Sequence, residues 1–384
     1  MSKTEHLRLV LAGTEDVPPA VGCWYHFPPE LQEPAAAAEA HLRHLDTYDL
    51  DFLKVMNEFG YPRHTLGSAG VIQSLDDLRK LEDLPGDAEP FDRQLELIRR
   101  LAEQLDGEVP MTTTIFNAWI TLRNLTAPHK KKHGPPTVGV RDDPRDALLT
   151  RMLHEDWAAM AAAVDTIGRS LANFARACIE AGADGIYLAT RDDWVDTPAN
   201  REAFAAHRAR SAEEDAKEAA DGPTAGAEAG GPADAERPAA AESPDPYDEL
   251  VALTDNTIFW AAEDGWFNVV HLCGTPRRFG RHLSDPIVHV VHWADRISGP
   301  TIGEALPLLE STRDLGRSRP PAIAAGVNNL ETLPNGTPQA VAGEVRDALA
   351  AMGERPLIVA PGCTYDPERV PEENIRAMVA AVRA

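Results

Sequence analysis

Short apolar, β-rich runs recur along this sequence with helical segments between them, and this alternation limits the fold more than any other feature. Eight runs can be counted: Ala20 to Trp24, Phe52 to Met56, Val109 to Phe116, Gly185 to Ala189, Phe267 to His271, Ile287 to His292, Ala322 to Ala325 and Leu357 to Ala360. Predicted helices between them include Phe91 to Leu105, Asp156 to Ala181, Tyr247 to Asp264 and Thr337 to Met352. Eight such units predict an α/β protein with a closed (β/α)₈ barrel, or TIM barrel.

The main competing fold is a doubly wound open sheet, which has the same alternation of strands and helices. No G-x-G-x-x-G motif follows any of the eight runs, so a dinucleotide-binding sheet is disfavoured. At 384 residues the chain is long enough for one barrel with insertions or for two smaller domains. Because runs on both halves of the chain are needed to reach eight strands, we predict a single barrel domain over residues 1–384.

One segment, residues 211–244, departs sharply in composition from the rest of the chain. Ala, Gly, Pro, Glu and Asp replace nearly every large apolar residue there, and nine acidic residues face two basic ones. Such a composition buries too little apolar surface to fold, so it predicts a disordered acidic insertion within the barrel. A compact basic run, Lys130 to Lys132 flanked by His129 and His133, is interpreted as a solvated loop.

The net charge and the cysteine content indicate which kind of partner and which cellular compartment to expect. The formal net charge is −24, which disfavours nucleic acid or an anionic membrane as partner and favours a small-molecule substrate. No run of about 20 apolar residues and no signal-peptide layout is present, so a cytoplasmic protein is expected. Four scattered cysteines do not make a disulfide framework, so reduced thiols are predicted.

The active site of a (β/α)₈ barrel lies at the carboxyl ends of its strands, and the residues predicted there are unusually polar and reactive. They are Trp24, His26, Asn57, Asn117, Thr190, Arg191, Asp192, His271, Cys273, Trp293, Asp295, Asn328, Asn329 and Cys363. Two of the four cysteines are among them. By contrast, Cys178 falls within an alanine-rich helix and is interpreted as a small core residue.

A candidate metal site follows from three of these residues. His271 and Cys273 form an H-x-C motif where the fifth strand ends, so alternation directs both side chains to the same side. Cys363 follows the last strand, which lies near the fifth across the mouth of a closed barrel. Three N/S ligands with one open position are typical of catalytic zinc. The alternative is a core histidine with two buried thiols.

Several motifs resemble the uroporphyrinogen decarboxylase superfamily from about Val21 to the carboxyl terminus. They are Gly182-Ala183-Asp184-Gly185-Ile186, His271-Leu272-Cys273-Gly274, Ala325-Gly326-Val327-Asn328-Asn329, Pro361-Gly362-Cys363 and Pro371-Glu372-Glu373-Asn374-Ile375. The superfamily is a (β/α)₈ barrel, in agreement with the strand count. It contains cofactor-free decarboxylases and zinc methyltransferases that move a methyl group from a corrinoid to a thiol.

The resemblance is closer to the methylcobalamin:coenzyme M methyltransferase branch. The decarboxylase branch has an arginine-rich segment after the first strand and ends its last strand with Gly-His-Gly. Here the segment from Gly22 to Pro29 contains no arginine, and the last strand is followed by Pro361-Gly362-Cys363. The resemblance implies His271, Cys273 and Cys363 as zinc ligands, a corrinoid (cobalamin) methyl donor, a corrinoid protein as a possible partner, and a homodimer.

The hypothesis of a zinc site predicts an enzyme that activates a thiol for methyl transfer. Residues interpreted as orienting the substrate or supporting the ligands are His26, Asn57, Asn117, Asp192 and Asn328, with Trp24, Tyr187 and Trp293 as an apolar wall. One alternative is metal-free decarboxylation of a porphyrinogen or other polycarboxylate by Arg191, Arg277, Arg278 and Asp192. Another alternative is a binding protein that retains the barrel without turnover.

Overall fold

All eight predicted strands are present and lie in one parallel sheet in the order β1-β8-β7-β6-β5-β4-β3-β2. The computed structural model describes residues 1–14, 16–66, 70–128, 143–221, 244–353 and 355–384. The strands are β1 Ala20–Val21, β2 Leu53–Val55, β3 Met111–Phe116, β4 Gly185–Thr190, β5 Val269–Leu272, β6 Val290–Trp293, β7 Ala322–Val327 and β8 Leu357–Pro361. The chain is therefore a (β/α)₈ TIM barrel, as the strand count predicts.

Helices flank the sheet, and their bounds in the described residues are as follows. They are α1 Lys3–Leu11, α2 Pro34–Tyr48, α3 Leu75–Leu78, α4 Phe91–Leu105, α5 Ala118–Leu125, α6 Pro144–Glu155, α7 Trp157–Glu180, α8 Pro198–Asp221, α9 Pro246–Leu250, α10 Ala252–Trp260, α11 Ile302–Glu310, α12 Thr332–Asn335, α13 Pro338–Met352 and α14 Glu372–Arg383. Three of the four predicted helices match within one residue at each end. The segment predicted as one helix from Tyr247 to Asp264 is instead two, because Val251 leaves helical geometry at φ −125°.

The barrel closes between β1 and β2. The amide of Asp51 donates to the carbonyl of Val21 at 2.9 Å, and the amide of Val21 donates to Asp51 Oδ2 at 2.7 Å. Gly22 is required beside this seam, because a Cβ atom there would lie 2.3 Å from the Phe52 ring. Helix α1 lies across the amino ends of the strands, where the Thr4 amide donates to the carbonyl of Glu108.

Two buried apolar layers hold the barrel together. One lies between the sheet and the helices, and the other fills the barrel interior with side chains such as Trp24, Phe52, Tyr187 and Phe267. The interior layer continues to Leu7 of α1, so the amino end of the barrel is covered. Among the described residues, no helix is long and apolar enough to cross a membrane.

The acidic segment, residues 211–244, is only partly described. Helix α8 continues to Asp221. Residues 211–221 are therefore helical, whereas the sequence predicted disorder for them. Alanine and glutamate are strong helix formers, and α8 carries this composition beyond its packed first half. Residues 222–243 and the basic run at 130–132 lie outside the described residues.

Candidate metal centre

Three predicted ligands meet at the carboxyl end of the barrel. His271 is in β5, Cys273 follows that strand directly, and Cys363 lies two residues beyond β8. One ligand atom from each, an imidazole nitrogen and two sulfurs, lies within 4.8 Å of the others. The strands deliver these atoms to one point because parallel strands of a closed barrel all end at the same mouth.

The donor atoms fit a metal such as zinc. His271 is buried, with 3% of its surface exposed, and neither ring nitrogen has a hydrogen-bond partner within the described part of the chain. A buried polar nitrogen without a partner is costly, and a metal ion would satisfy it. One imidazole and two thiolates form the N/S donor set that zinc prefers, and three protein ligands leave a fourth position for substrate.

The two sulfurs differ in their electrostatic surroundings. Hydrogen bonding with Cys273 and the facing His271 imidazole lower the pKa of Cys363 well below the ordinary thiol value. The same contact with Cys363, together with burial, raises the pKa of Cys273 well above it. Of the two sulfurs, Cys363 is therefore the one whose surroundings favour the thiolate.

The His271 ring is held by aromatic contacts. It stacks on His292, with ring centroids 4.6 Å apart, and on Tyr187 at 5.4 Å. Nε2 of His292 lies 2.9 Å from the carbonyl oxygen of Pro361, so it must be the protonated nitrogen of that ring. Burial keeps the pKa of His292 well below its ordinary value, so Nδ1 accepts from the Tyr187 hydroxyl at 2.5 Å. These two hydrogen bonds of His292 connect β4, β6 and β8 beside the His271 ring.

A cavity opens beside the three ligands. Its wall also includes Arg191, Ala294, Ser298 and Asn329. Asn329 donates from Nδ2 to the carbonyl of Thr364 at 3.0 Å, while its buried Oδ1 has no partner among the described residues. Gly362 permits the close packing here, because a Cβ atom would lie 2.7 Å from Cα of Ala294.

The three asparagines predicted as substrate contacts have local structural partners. Oδ1 of Asn117 accepts from the amide of Ile120 and caps α5. Asn57 Oδ1 accepts from the amides of Phe59 and Gly60, and Asn328 Oδ1 accepts from those of Leu330 and Glu331. The structure therefore engages all three in turns and a helix cap.

Of the remaining predicted residues, His26 and Asp192 lie around the mouth. Tyr187 lies in the barrel interior, and Trp293, predicted as part of an apolar wall, packs instead in the core between the sheet and the helices. His26 Nδ1 lies 2.9 Å from Glu58 Oε1, where the segments after β1 and β2 meet. Asp192 accepts from the backbone amides of Arg277 and Arg278, and so fixes the loop after β5. The Tyr187 hydroxyl is used by His292, and Nε1 of the buried Trp293 donates to the carbonyl of Pro300 at 2.7 Å.

Two features of the site were not predicted. Lys54 lies in β2, within a run interpreted only as an apolar strand, yet its side chain is buried and its Nζ lies 4.3 Å from the centre of the Tyr187 ring. His292, also counted only as part of a strand, supports His271. The alternation of side chains along β2 and β6 was the available signal, since it directs every second residue into the barrel.

No protein-family model and no curated protein sequence matches this chain. Solved structures similar to it include a methyltransferase from Methanosarcina mazei, at 16% sequence identity and a TM-score of 0.62, over 100% of this chain and 98% of that one. Another is a B12-independent methionine synthase from Shewanella sp. W3-18-1 in complex with selenomethionine, at 14% identity and a TM-score of 0.39, over 75% of this chain and 66% of that one. At such low identity the first similarity establishes the shared barrel fold.

Proposed function

We propose that this protein is a zinc-dependent enzyme that activates a thiol for methyl transfer from a corrinoid or related methyl donor. The observation that carries the proposal is the meeting of His271, Cys273 and Cys363 at the mouth of the barrel, with both nitrogens of the buried imidazole left without a partner among the described residues. Three N/S ligands leave room for a fourth, the arrangement of a catalytic rather than a structural zinc site.

The chain's own residues would divide the work as follows. His271, Cys273 and Cys363 would hold the ion, and the His292–Tyr187 pair would keep the His271 ring in place. When bound, zinc supplies the Lewis acidity that keeps a ligating thiol deprotonated at neutral pH. The cavity wall at Arg191, Ser298 and Asn329 would receive the rest of the thiol substrate.

One solved structure that shares this barrel fold is described as a methyltransferase, which supports methyl transfer as the reaction class. Decarboxylation of a polycarboxylate is less well supported, because it needs arginines that are free to bind carboxylates. Arg191 is paired with Asp193, and Arg278 is paired with Asp245 and Asp248. A corrinoid protein could present the methyl donor at the barrel mouth.

The first test is zinc content, measured by elemental analysis of freshly reduced protein. We expect about one zinc ion per chain in the wild type, and loss of zinc in Cys273→Ser and Cys363→Ser, because each variant loses a ligand. Cys178→Ala is the matched control, since Cys178 is buried in α7 far from the three ligands in the fold. A wild type that takes up no zinc would overturn the proposal.

The second test is turnover of the zinc-loaded protein with methylcobalamin and 2-mercaptoethanol. Demethylation of the cobalamin, followed by its absorbance, should depend on both the thiol and zinc. A protein that binds zinc but leaves methylcobalamin unchanged with a panel of thiols would remove methyl transfer from this donor and leave a zinc-binding barrel.

A further inference from the structure

Lys54 places an ionisable amine in the barrel interior, where side chains are ordinarily apolar. The residue is 6% exposed. Its Nζ donates to Thr114 Oγ1 at 2.9 Å and to Met56 Sδ at 3.3 Å. The same nitrogen lies over the rings of Tyr187, at 4.3 Å, and Trp24, at 5.4 Å. All four of these partners are electrically neutral.

A buried ammonium group normally needs a nearby anion. Among the described residues, no carboxylate oxygen lies within the 4.0 Å that defines an ion pair with Lys54. Contacts with two aromatic rings recover only part of the cost of removing the charge from water. The fold therefore keeps an ionisable amine inside the barrel without a conventional anionic partner.

Three groups that can carry negative charge act on Lys54, the carboxylate of Glu58 and the two sulfurs of the candidate metal centre. Burial lowers the pKa of Lys54 to about 7, while Cys363, Glu58 and Cys273 act in the opposite direction and favour the ammonium form. Glu58 is already paired with His26. The imidazoles of His41 and His292 also face Lys54, and burial lowers the pKa of both.

The Tyr187 ring connects Lys54 to the centre in space. One contact of the ring is the Lys54 ammonium, and another is the His271 imidazole, which stacks on it with centroids 5.4 Å apart. Lys54 thus lies one side chain below the ligands, on the side opposite the open mouth. At that depth a unit charge acts through protein rather than through water, so its influence on the sulfurs is weakly screened.

We propose that Lys54 is a positioning residue whose ammonium group supplies the counter-charge for the thiolates at this centre, including the thiolate of the bound substrate. This inference rests on the proposed function. Two cysteine thiolates balance the charge of one zinc ion, so a third thiolate leaves one negative charge in excess. The ammonium of Lys54 neutralises that excess. It favours the thiolate over the neutral thiol at the fourth position.

The test compares Lys54→Met, which keeps much of the side-chain volume without the charge, with Lys54→Arg, which keeps the charge. Thr114→Val is the matched control, because it removes the hydrogen bond to Nζ and leaves the ammonium in place. Each protein is loaded with cobalt(II), and the sulfur-to-cobalt absorption band is titrated with 2-mercaptoethanol at several pH values. Zinc affinity is measured separately by competition with a chromogenic chelator.

In Lys54→Met we expect 2-mercaptoethanol to bind about tenfold more weakly at neutral pH, and the pH midpoint of its binding to rise by about one unit, since one unit corresponds to a tenfold change. Lys54→Arg should keep the thiol affinity and the pH midpoint close to those of the wild type. The thiol affinity of Thr114→Val should stay within about threefold of the wild type. The uncharged tail of 2-mercaptoethanol ensures that the effect is on the sulfur.

The inference is overturned if Lys54→Met binds the thiol with the affinity and pH midpoint of the wild type, or if Thr114→Val shifts both as far as Lys54→Met does. Lys54→Gln provides a second neutral variant if Lys54→Met does not fold. A wild type that binds neither zinc nor cobalt would refute the proposed function itself. Normal metal and thiol binding in Lys54→Met would refute only the role of Lys54.

Discussion

At the residue scale, Asp255 shows how burial couples the fold to pH. It lies on α10, fully buried, where Oδ2 accepts from the Tyr247 hydroxyl and lies 3.4 Å from His282 Nε2. Burial raises the pKa of Asp255 to about 7. Between about pH 4 and pH 7, the folded state therefore keeps a proton that the unfolded state has already released. Stability from this group is present at low pH and is lost as pH rises through about 7.

Asn cannot ionise, so we expect Asp255→Asn to become more stable relative to the wild type as the pH rises. Between pH 5 and pH 8 the difference in unfolding free energy should move by about 2 to 3 kcal/mol in favour of the variant. Urea unfolding at both pH values measures it. The control is Asp165→Asn on the exposed side of α7, which should track the wild type at both. Parallel behaviour of Asp255→Asn and the wild type would contradict the expectation.

The sequence predicted that His271, Cys273 and Cys363 meet at the barrel mouth but not how the site is supported. The H-x-C motif and Cys363 could be placed because each follows a recognisable strand, and closure of the barrel brings their ends together. Lys54 was missed because the run from Phe52 to Met56 was interpreted only as an apolar strand, without asking which of its residues face the barrel interior. The cap formed by Asn117 was not anticipated, because a polar residue at a strand end is also the residue before the next helix.

At the scale of elements, two mid-helix glycines should respond oppositely to the same substitution. A Cβ atom at Gly168 of α7 would lie 2.6 Å from Cβ of Thr254 on α10, whereas at Gly343 of α13 the nearest atom is Arg346 Nη2 at 3.9 Å. Gly168→Ala should therefore lower the unfolding free energy by about 1 to 3 kcal/mol through overpacking. Gly343→Ala should raise it by about 0.5 to 1 kcal/mol through helix propensity.

Thermal or urea unfolding of both variants beside the wild type tests this pair, and each serves as the other's control. The same sign for both would mean that the space around the helix does not decide the outcome. Stabilisation by Gly168→Ala would further show that α7 and α10 can separate without cost, contrary to the close contact at Thr254.

The existence and order of the elements could be predicted from the sequence, because apolar runs and helical periodicity are local signals. Their ends depend on partners distant in the chain. The run beginning at Phe267 starts pairing as a strand only at Val269, because the amide of Phe267 donates to the carbonyl of Asp184 in the preceding turn. The break at Val251 between α9 and α10 likewise interrupts a segment that sequence periodicity treats as continuous.

At the scale of the whole molecule, the barrel depends on the seam between its first two strands. Asp51 joins three parts of the chain there. Its Oδ2 accepts from the amide of Val21, its own amide donates to the carbonyl of Val21, and its Oδ1 accepts from Arg383 Nη2 at 2.6 Å. Arg383 ends α14, so the same carboxylate ties the carboxyl-terminal helix to the point where the sheet closes.

Asp51→Ala should therefore destabilise the barrel locally, at the seam between β1 and β2. It leaves the Val21 amide without its side-chain acceptor and the Arg383 guanidinium without its carboxylate, so we expect a loss of about 3 kcal/mol in unfolding free energy. Asp76→Ala, which removes an exposed pair with Arg79, should cost less than about 1 kcal/mol. Hydrogen exchange locates the effect: amide protection should fall in β1 and α14 and persist in β4 and β5. Equal loss of protection in all strands would mean that the seam opens only when the whole barrel unfolds, because closure and core packing would then be a single cooperative unit.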